Sequence, residues 1–562
     1  MANSEVGAIS ESTLATSESP VWFDPEWLDG TVPASKEQAE DAQAAADDWM
    51  LDWFYTVIET IPNRPWTYQA LGLFCHDRDP QIALAAYSQA LFRNPNQPDL
   101  LMQAAGLAVL QKKTAIAQDF YHQAIGCLPN RPEPFYNLGR MAGNAGENHR
   151  AIVLYSQALL RDPNLLPVYF ALGDAWGRVG DWQRAYGTYR AAQQPQFPPV
   201  PQAAAREGHA LNQLGDLAGA IAAYDRAVEM APASVEHRCS FSLLLLAVGQ
   251  WQRGWAEYHW RLKQEYFREV VMDCQPLWQG ESLAGKTILV RSEQGLGDTI
   301  QFCRYLPQLK AAARLIFRGR QCLRELVMTL GCVDLFVDWD ESLDGVVYDV
   351  GVPLMSLPRF FAPEPAIAQT QTASNSVYLS VPHSAKNFTL PPPTSPTAHT
   401  KIGIVWASGH RDLSDLVDQY RQKTCDLTQL MGAIDHPQIQ PYSLQVGRDV
   451  PTGQPFFDDG QLIDLSKSLT SFSETAAAIA QLDLVISVDT AVAHLAGALG
   501  KPVWILLPWL ADWRWLRNRP HSVWYTSDRL FRQPAVDDWD TVYQMIHDAL
   551  YQALGAEQLV TE

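Results

Sequence analysis

Small and aromatic residues recur every 33 to 35 residues through the first half of the chain. Three columns share this period: a glycine, a tyrosine 15 or 16 residues later, and an alanine three residues after the tyrosine. The pattern predicts two amphipathic helices per period, with the tyrosine and alanine buried and the glycine allowing close helix approach. A proline ends several units, because proline cannot continue a helix. The columns are Gly72, Gly106, Gly139, Gly173 and Gly208, then Tyr87, Tyr121, Tyr155, Tyr189, Tyr224 and Tyr258, then Ala90, Ala124, Ala158, Ala192 and Ala227.

This spacing resembles the tetratricopeptide repeat (TPR) over about six units, residues 65–262. The resemblance implies an α-solenoid, here assigned to residues 47–270, whose groove binds a protein or peptide partner. A spacer or dimerisation element is the alternative. Residues 1–46 are rich in Ser, Ala, Glu and Asp, and we expect them to be disordered. We interpret the aromatic residues of the last unit as a cap on the solenoid core: Trp251, Trp255, Tyr258 and Trp260.

From about residue 275, short β-branched runs alternate with helical patterns. This alternation predicts parallel sheets covered by helices. Residues 383–400 contain three consecutive prolines and predict a linker between two α/β domains, 275–382 and 401–562. The predicted strand segments are 286–292, 314–319, 335–339 and 347–358 before the linker, and 401–407, 439–447, 482–488 and 501–508 after it.

Composition narrows the function classes. A formal net charge of -20 argues against a protein that coats nucleic acid. The eight cysteines form no CxxC pair, so we expect neither a disulfide framework nor a zinc site. We find no uninterrupted apolar run near 18 residues and no signal-peptide pattern, and we therefore expect a cytoplasmic protein without a membrane span. The acidic motifs at 338–340 and 537–540 are interpreted as surface acids, so no metal site is predicted.

Ligands of open α/β sheets lie beyond the carboxyl ends of the strands. In the first α/β domain this position holds "EQGLGD", in which Gly295 and Gly297 allow a tight turn and close backbone approach. Asp298 stands where a helix begins. It either caps that helix or accepts a proton as a general base.

In the second α/β domain, Asp489 and Thr490 follow a strand and precede a helix of small residues, 491–499. A helix start at this position favours an anion, because unpaired amides and the helix dipole point at it. The acidic Asp489 suits a sugar hydroxyl or a capping role better than a phosphate. His494, one turn into the helix, is either a packing residue or a ligand contact.

Other candidate contacts lie nearby in the same domain. Ser408 follows a strand, where the loop could turn backbone amides toward a phosphate. Three cations after it either neutralise that phosphate or are ordinary surface charges: Arg411, Arg421 and Lys423. Gln445 ends another strand and is a candidate contact to a base. Trp513, Arg514 and Trp515 either line the cleft or pack between domains.

The order of these motifs resembles bacterial heptosyltransferase-like glycosyltransferases with two facing Rossmann-type domains, the GT-B fold, over about residues 275–560. With the repeats in front, the chain resembles TPR-fused bacterial glycosyltransferases, and its domain order is similar to that of O-linked N-acetylglucosamine transferases. The resemblance implies that Asp298 is the general base and that the segment with Asp489, Thr490 and His494 holds the donor diphosphate and sugar. Ala491 stands where the family has glycine.

We therefore expect a glycosyltransferase that moves a sugar from a nucleotide-sugar donor to a protein, peptide or glycan acceptor, without another cofactor. The alternative is a non-catalytic TPR adaptor with a degenerate glycosyltransferase-like module. A nicotinamide-dependent oxidoreductase is disfavoured, because "GLGD" lacks the third glycine of the dinucleotide motif and no ribose-binding acid follows.

Overall fold

The computed structural model describes residues 36–361, 377–409, 423–517 and 519–561, with side chains from 47 to 554. The chain divides into two compact units between Leu214 and Gly215. This division falls inside the predicted repeat array, and the domain bounds given above stay predictions. The first helix begins at Lys36, within the segment expected to be disordered, because Ala, Glu and Gln there favour a helix.

The first unit is helical, and its helices pair in sequence order from α2 onward. Prolines begin several of these helices, where the missing amide hydrogen costs nothing. The helices are α1 Lys36–Thr60, α2 Pro65–Cys75, α3 Pro80–Arg93, α4 Pro98–Leu110, α5 Thr114–Cys127, α6 Glu133–Asn144, α7 Asn148–Arg161, α8 Leu166–Arg178, α9 Trp182–Ala191 and α10 Pro201–Gln213.

In most of these helix pairs the column glycine lets the two helices pack closely, as its spacing predicts. A Cβ atom added to Gly72 would lie 2.4 Å from the ring of Tyr87, and one added to Gly173 would lie 2.3 Å from the ring of Tyr189. Both tyrosines are buried. Gly106 differs, because a Cβ atom there would meet nothing within 4 Å.

The second unit begins with four α-helices and continues into two parallel sheets. Its helices are α11 Leu217–Met230, α12 Val235–Ala247, α13 Trp251–Tyr258, α14 Arg268–Asp273, α15 Leu296–Phe302, α16 Arg324–Met328, α17 Leu427–Ala433, α18 Gln454–Asp458, α19 Phe472–Ala480, α20 Ala491–Ala498 and α21 Trp539–Thr561. Its strands are β1 Thr287–Arg291, β2 Arg314–Gly319, β3 Leu335–Asp338, β4 Val350–Pro353, β5 Thr400–Val405, β6 Ile439–Ser443, β7 Ile463–Asp464, β8 Leu484–Val488, β9 Val503–Leu507 and β10 Asp528–Arg532.

The strands form one sheet of order β3-β2-β1-β4 and a second of order β10-β9-β8-β5-β6-β7. Every pairing between these strands is parallel. The predicted class, a TPR solenoid followed by Rossmann-like domains, is therefore confirmed. Strands β7 and β10 were not predicted: β7 has only two residues, and β10 lies in a tail rich in Trp and Arg. Every helix in the described residues falls short, in length or in apolar character, of what crossing a bilayer requires.

The aromatic residues that end the repeat pattern do not cap a solenoid. Trp251 and Trp255 belong to the same apolar core as the α/β residues. The ring centroid of Trp255 lies 5.8 Å from that of Phe302 and 5.4 Å from that of Trp513. Trp260 instead lies half-buried under two cationic side chains. The cap interpretation was wrong for Trp251 and Trp255, because their burial comes from α/β partners.

The glycine column gives a stability test with a control at the equivalent position. Gly173→Ala is expected to destabilise the repeat unit by about 1–3 kcal/mol, because the new methyl group collides with the buried Tyr189 ring. Gly106→Ala is expected to be neutral or stabilising by up to about 1 kcal/mol, since alanine favours a helix and space is open. Calorimetric melting of both variants checks this, and equal destabilisation by the two changes would contradict it.

Candidate functional site

Asp298 lies at the start of α15, beyond the carboxyl end of β1. Its Oδ2 accepts a hydrogen bond from the Gly295 amide at 2.7 Å, which is the capping bond considered above. Its Oδ1 accepts from Nη2 of Arg514. The same carboxylate therefore caps its helix through one oxygen and presents the other to a cation.

The electrostatic environment makes Asp298 a better base than a free aspartate. Burial raises the pKa of its carboxyl above the usual value, and Arg514 and the Gly295 amide offset this only in part. A carboxylate with a raised pKa accepts a proton more readily near neutral pH.

The start of α20 lies beyond the carboxyl end of β8. Thr490 is the N-cap residue, but its side chain makes no capping bond. Its hydroxyl instead lies 2.9 Å from the hydroxyl of Ser487. Ala491 begins the helix and is not among the residues with positive φ, so its backbone does not require the glycine of the family. The first amides of α20 are thus left without a cap from Thr490.

The two helix starts meet at Gly297. A Cβ atom added there would lie 3.0 Å from Cδ2 of His494 and 3.4 Å from Cα of Ala491. This contact explains why glycine suits the position, because a Cβ atom there would crowd the His494 ring and the Ala491 backbone. The structure therefore places Gly295, Gly297 and Asp298 beside the start of α20, and their roles stay predictions.

Asp489 is held by two neighbours. Nζ of Lys423 donates to its Oδ2 at 2.7 Å, and Nε2 of His494 lies 3.9 Å from its Oδ1. Burial alone would raise the pKa of Asp489, but Lys423 and then His494 lower it below the usual value. The pKa of Lys423 is raised, chiefly by Asp489. Asp489 is thus a carboxylate at neutral pH.

His494 is buried between aromatic rings. Its ring stacks on Trp515 with centroids 5.2 Å apart, and its Nδ1 lies 2.8 Å from the hydroxyl of Tyr525. Burial lowers the pKa of His494 to about 4, against the opposing effect of Asp489. His494 is therefore neutral at pH 7 and acts as a hydrogen-bonding group rather than as a cation.

Arg514 links both halves of the site. Besides Asp298, it donates from Nη1 to Asp512 at 2.7 Å and from Nε to Gln301 at 2.8 Å. Its guanidinium carbon lies 4.4 Å from the ring centroid of Trp513. Burial would lower the pKa of Arg514, but Asp512 and Asp298 outweigh burial and raise it. These contacts pack Arg514 against α15 and its own turn, and the cleft-lining interpretation stays a prediction.

The remaining predicted residues are less closely grouped. Ser408 is half-buried at the last described turn before residues 410–422, and Arg421 and Arg411 lie outside the described residues. Oε1 of Gln445 accepts from the amides of Trp406 and Ala407 at 3.3 and 3.0 Å. These bonds join the ends of β5 and β6.

The acidic motif at 338–340 forms a local turn, in which the Asp340 amide donates to Asp338 at 2.8 Å. In the part of the chain that the structure describes, no group of three or more His, Cys, Asp or Glu residues is placed to hold a metal ion.

The sequence analysis missed Arg304, Gln301 and Tyr525. Arg304 donates to the Trp524 carbonyl at 2.8 Å and to the Tyr378 hydroxyl at 3.1 Å. A signal was present, because a glutamine and an arginine within the apolar helix pattern "TIQFCRYL" must be buried and hence paired.

Comparison with known proteins bears on this geometry. The sequence model of glycosyltransferase family 9 (heptosyltransferase) matches residues 468–506, which include β8 and the start of α20. The tetratricopeptide repeat model matches residues 201–234. The chain thus has one segment similar to TPR repeats and one similar to family 9 glycosyltransferases. The resemblance to TPR-fused glycosyltransferases is confirmed, and the segment that the family 9 model matches contains Asp489, Thr490 and His494.

Relatives cover parts of the chain. Protein FlbA from Caulobacter vibrioides is 25% identical over 378 residues, which cover 60% of this chain and 59% of FlbA. This chain thus spans about three fifths of that relative. The MamA structure is 20% identical, covers 29% of this chain and 90% of its own, and has a TM-score of 0.28. The structure of YrrB, a TPR protein with an unusual peptide-binding site, is 19% identical, covers 33% and 95%, and has a TM-score of 0.29.

The buried neutral His494 predicts a pH effect on stability. Its pKa is near 6.5 when unfolded and about 4 when folded, so the unfolded chain takes up the proton first and stability falls between pH 6.5 and 4. At pH 5 this loss is about 2 kcal/mol. Melting of wild type and His494→Asn between pH 7.5 and 4.5 checks it: the variant should lose less stability on acidification. Parallel losses would contradict it.

Proposed function

We propose that the protein transfers a sugar from a nucleotide-sugar donor to an acceptor nucleophile. The observation that carries the proposal is the meeting of two features at Gly297: the carboxylate of Asp298 and the start of α20, whose amides the Thr490 side chain does not cap. One is suited to take a proton and the other to hold an anion. The match of family 9 to the second feature supports the same reaction class.

On the donor side, the leaving group is a nucleoside diphosphate. The first amides of α20 are directed at an anion, and the helix dipole adds a favourable field. Lys423 and Arg514 supply fixed positive charge nearby, as their shared effects on the pKa of Asp489 indicate. Such preorganised charge stabilises the departing diphosphate, and we extend the proposal to transfer without a metal ion.

On the acceptor side, Asp298 takes the proton. A bond forms between the acceptor oxygen or nitrogen and the anomeric carbon, while the bond from that carbon to the diphosphate oxygen breaks. The acceptor proton passes to Oδ1 of Asp298, whose raised pKa suits this role. The Asp489 carboxylate accepts a hydrogen bond from a sugar hydroxyl, and neutral His494 forms a hydrogen bond with the sugar or the phosphate.

The repeats supply the acceptor in this proposal. Phe92 and Leu160 each lie five residues after a column tyrosine and are 86% and 77% exposed. Single exposed apolar side chains are common on protein surfaces, so the support for this proposal is their recurrence at the equivalent position of two repeats. We therefore propose a protein or peptide acceptor that the repeats hold.

The role of Asp298 as the base is tested by comparing two variants, each of which neutralises one carboxylate beside Arg514. UDP-, GDP- and ADP-sugars are first screened by thermal shift, and hydrolysis of the stabilising donor is then followed. Asp298→Asn should lower turnover about 100- to 10,000-fold without weakening donor binding, because the proton acceptor is lost while Arg514 stays in place. Asp512→Asn also removes a carboxylate from Arg514 but should cost far less.

Equal losses in these two variants would show that only the charge around Arg514 matters. No stabilisation by any nucleotide sugar would favour the adaptor alternative.

The role of the repeats is tested separately from the chemistry. Phe92→Ala with Leu160→Ala should lower transfer of labelled sugar to macromolecules of a cell extract by about tenfold, since truncated interface side chains cost on the order of 1 kcal/mol each. Donor hydrolysis should not change. Val347→Ala, which truncates a 79% exposed residue of the second unit, is the control. Loss of hydrolysis together with transfer would contradict the assignment.

A further inference from the structure

The loop that leads from β1 into α15, and so to Asp298, is held in place by residues 255–261. By sequence period these residues belong to the last repeat. Glu293 begins this loop, and its side chain is fully buried. Both of its carboxylate oxygens accept from Arg261, at 2.9 Å from Nε and 2.6 Å from Nη2. The Met355 amide also donates to Oε1 at 3.0 Å. A buried carboxylate requires such a cation, so the position of Glu293 depends on Arg261.

The next residue is held in the same way. Gln294 has a φ of 62°, a left-handed conformation that a non-glycine residue adopts only when its surroundings stabilise it. Nε2 of Gln294 donates to the hydroxyl of Tyr258 at 2.7 Å. Tyr258 is the sixth member of the tyrosine column, and here its hydroxyl fixes a loop of the α/β domain.

A third contact lies at the far end of α15. The ring of Trp255 packs edge-on against Phe302, the last residue of that helix. The helix is thus held by the terminal repeat on both sides of Asp298, through Glu293 and Gln294 before it and Phe302 after it. Because α15 is only two turns long, displacement at either end moves the carboxylate.

We infer that the terminal repeat positions the proposed base: Arg261 and Tyr258 act as positioning residues, through Glu293 and Gln294, for Asp298. The effect of this positioning on catalysis rests on the proposed function. The contacts that hold Glu293 and Gln294 do not depend on it. The terminal repeat is then part of the catalytic module rather than only a binding appendage. This role differs from solenoid capping, which the sequence pattern suggests for the same segment.

The test uses full-length variants and two readouts. Tyr258→Phe removes one hydroxyl, and Arg261→Met with Glu293→Gln removes both charges together, so that no buried charge is left unpaired. Hydrogen exchange of the amides in residues 293–298 should quicken about three- to tenfold in Tyr258→Phe and more in the double variant. Donor turnover should fall about 10- to 100-fold in the double variant, with KM for the donor within about twofold.

A second ion pair of the same repeat is the matched control. Nη1 of Arg238 lies 2.6 Å from Oε2 of Glu257, so both partners of this ion pair belong to the repeat. Arg238→Met with Glu257→Gln should lower the melting temperature without changing loop exchange or turnover. Faster loop exchange in this control, or unchanged exchange in both test variants, would overturn the inference. If wild type turns over no nucleotide sugar, the proposed function fails, and the exchange data alone decide the positioning role.

Discussion

The buried guanidinium of Arg514 is the constraint around which the candidate site is organised. Removing a cation from water costs several kcal/mol unless carboxylates and hydrogen-bond acceptors replace the solvent. Here Asp512 comes from its own turn, while Asp298 and Gln301 come from α15. The C-terminal segment can therefore pack against α15 only in an arrangement that aligns these three partners. That arrangement also sets where the Asp298 carboxylate lies relative to α20.

The site pairs each acid with a cation, and this pairing has a consequence for the proposed reaction. Lys423 holds Asp489, and Arg514 holds Asp298. On the proposed function, a diphosphate at the start of α20 competes for the same two cations. Donor binding would then loosen both acids together, one to contact the sugar and the other to accept a proton. On this account, the donor that binds Lys423 and Arg514 also frees Asp489 and Asp298 for the reaction.

The sequence allowed much of the fold and part of the site to be predicted. The repeat columns could be recognised because the same helix–helix contact recurs in successive units. The buried parallel strands could be predicted because they are short, continuous apolar segments. Gly106 keeps the period of its column but makes no close contact with a tyrosine ring. This difference depends on where the ring lies and has no signal in the sequence. The pairing of Asp298 with Arg514 spans 216 residues and has no local pattern. The sequence makes Gln445 a candidate contact to a base, yet its side-chain oxygen accepts a hydrogen bond from the backbone amide of Ala407, after β5. The sequence does not show that this amide needs a side-chain acceptor.

The most direct measurement of the central claim is a crystal structure with the nucleoside diphosphate that most stabilises the protein. The account predicts diphosphate oxygens within hydrogen-bond distance of the Ala491 and Val492 amides and of Lys423 or Arg514. It also predicts that Oδ1 of Asp298 faces the sugar position. A nucleotide bound away from the start of α20, with Asp298 still paired to Arg514, would contradict the account.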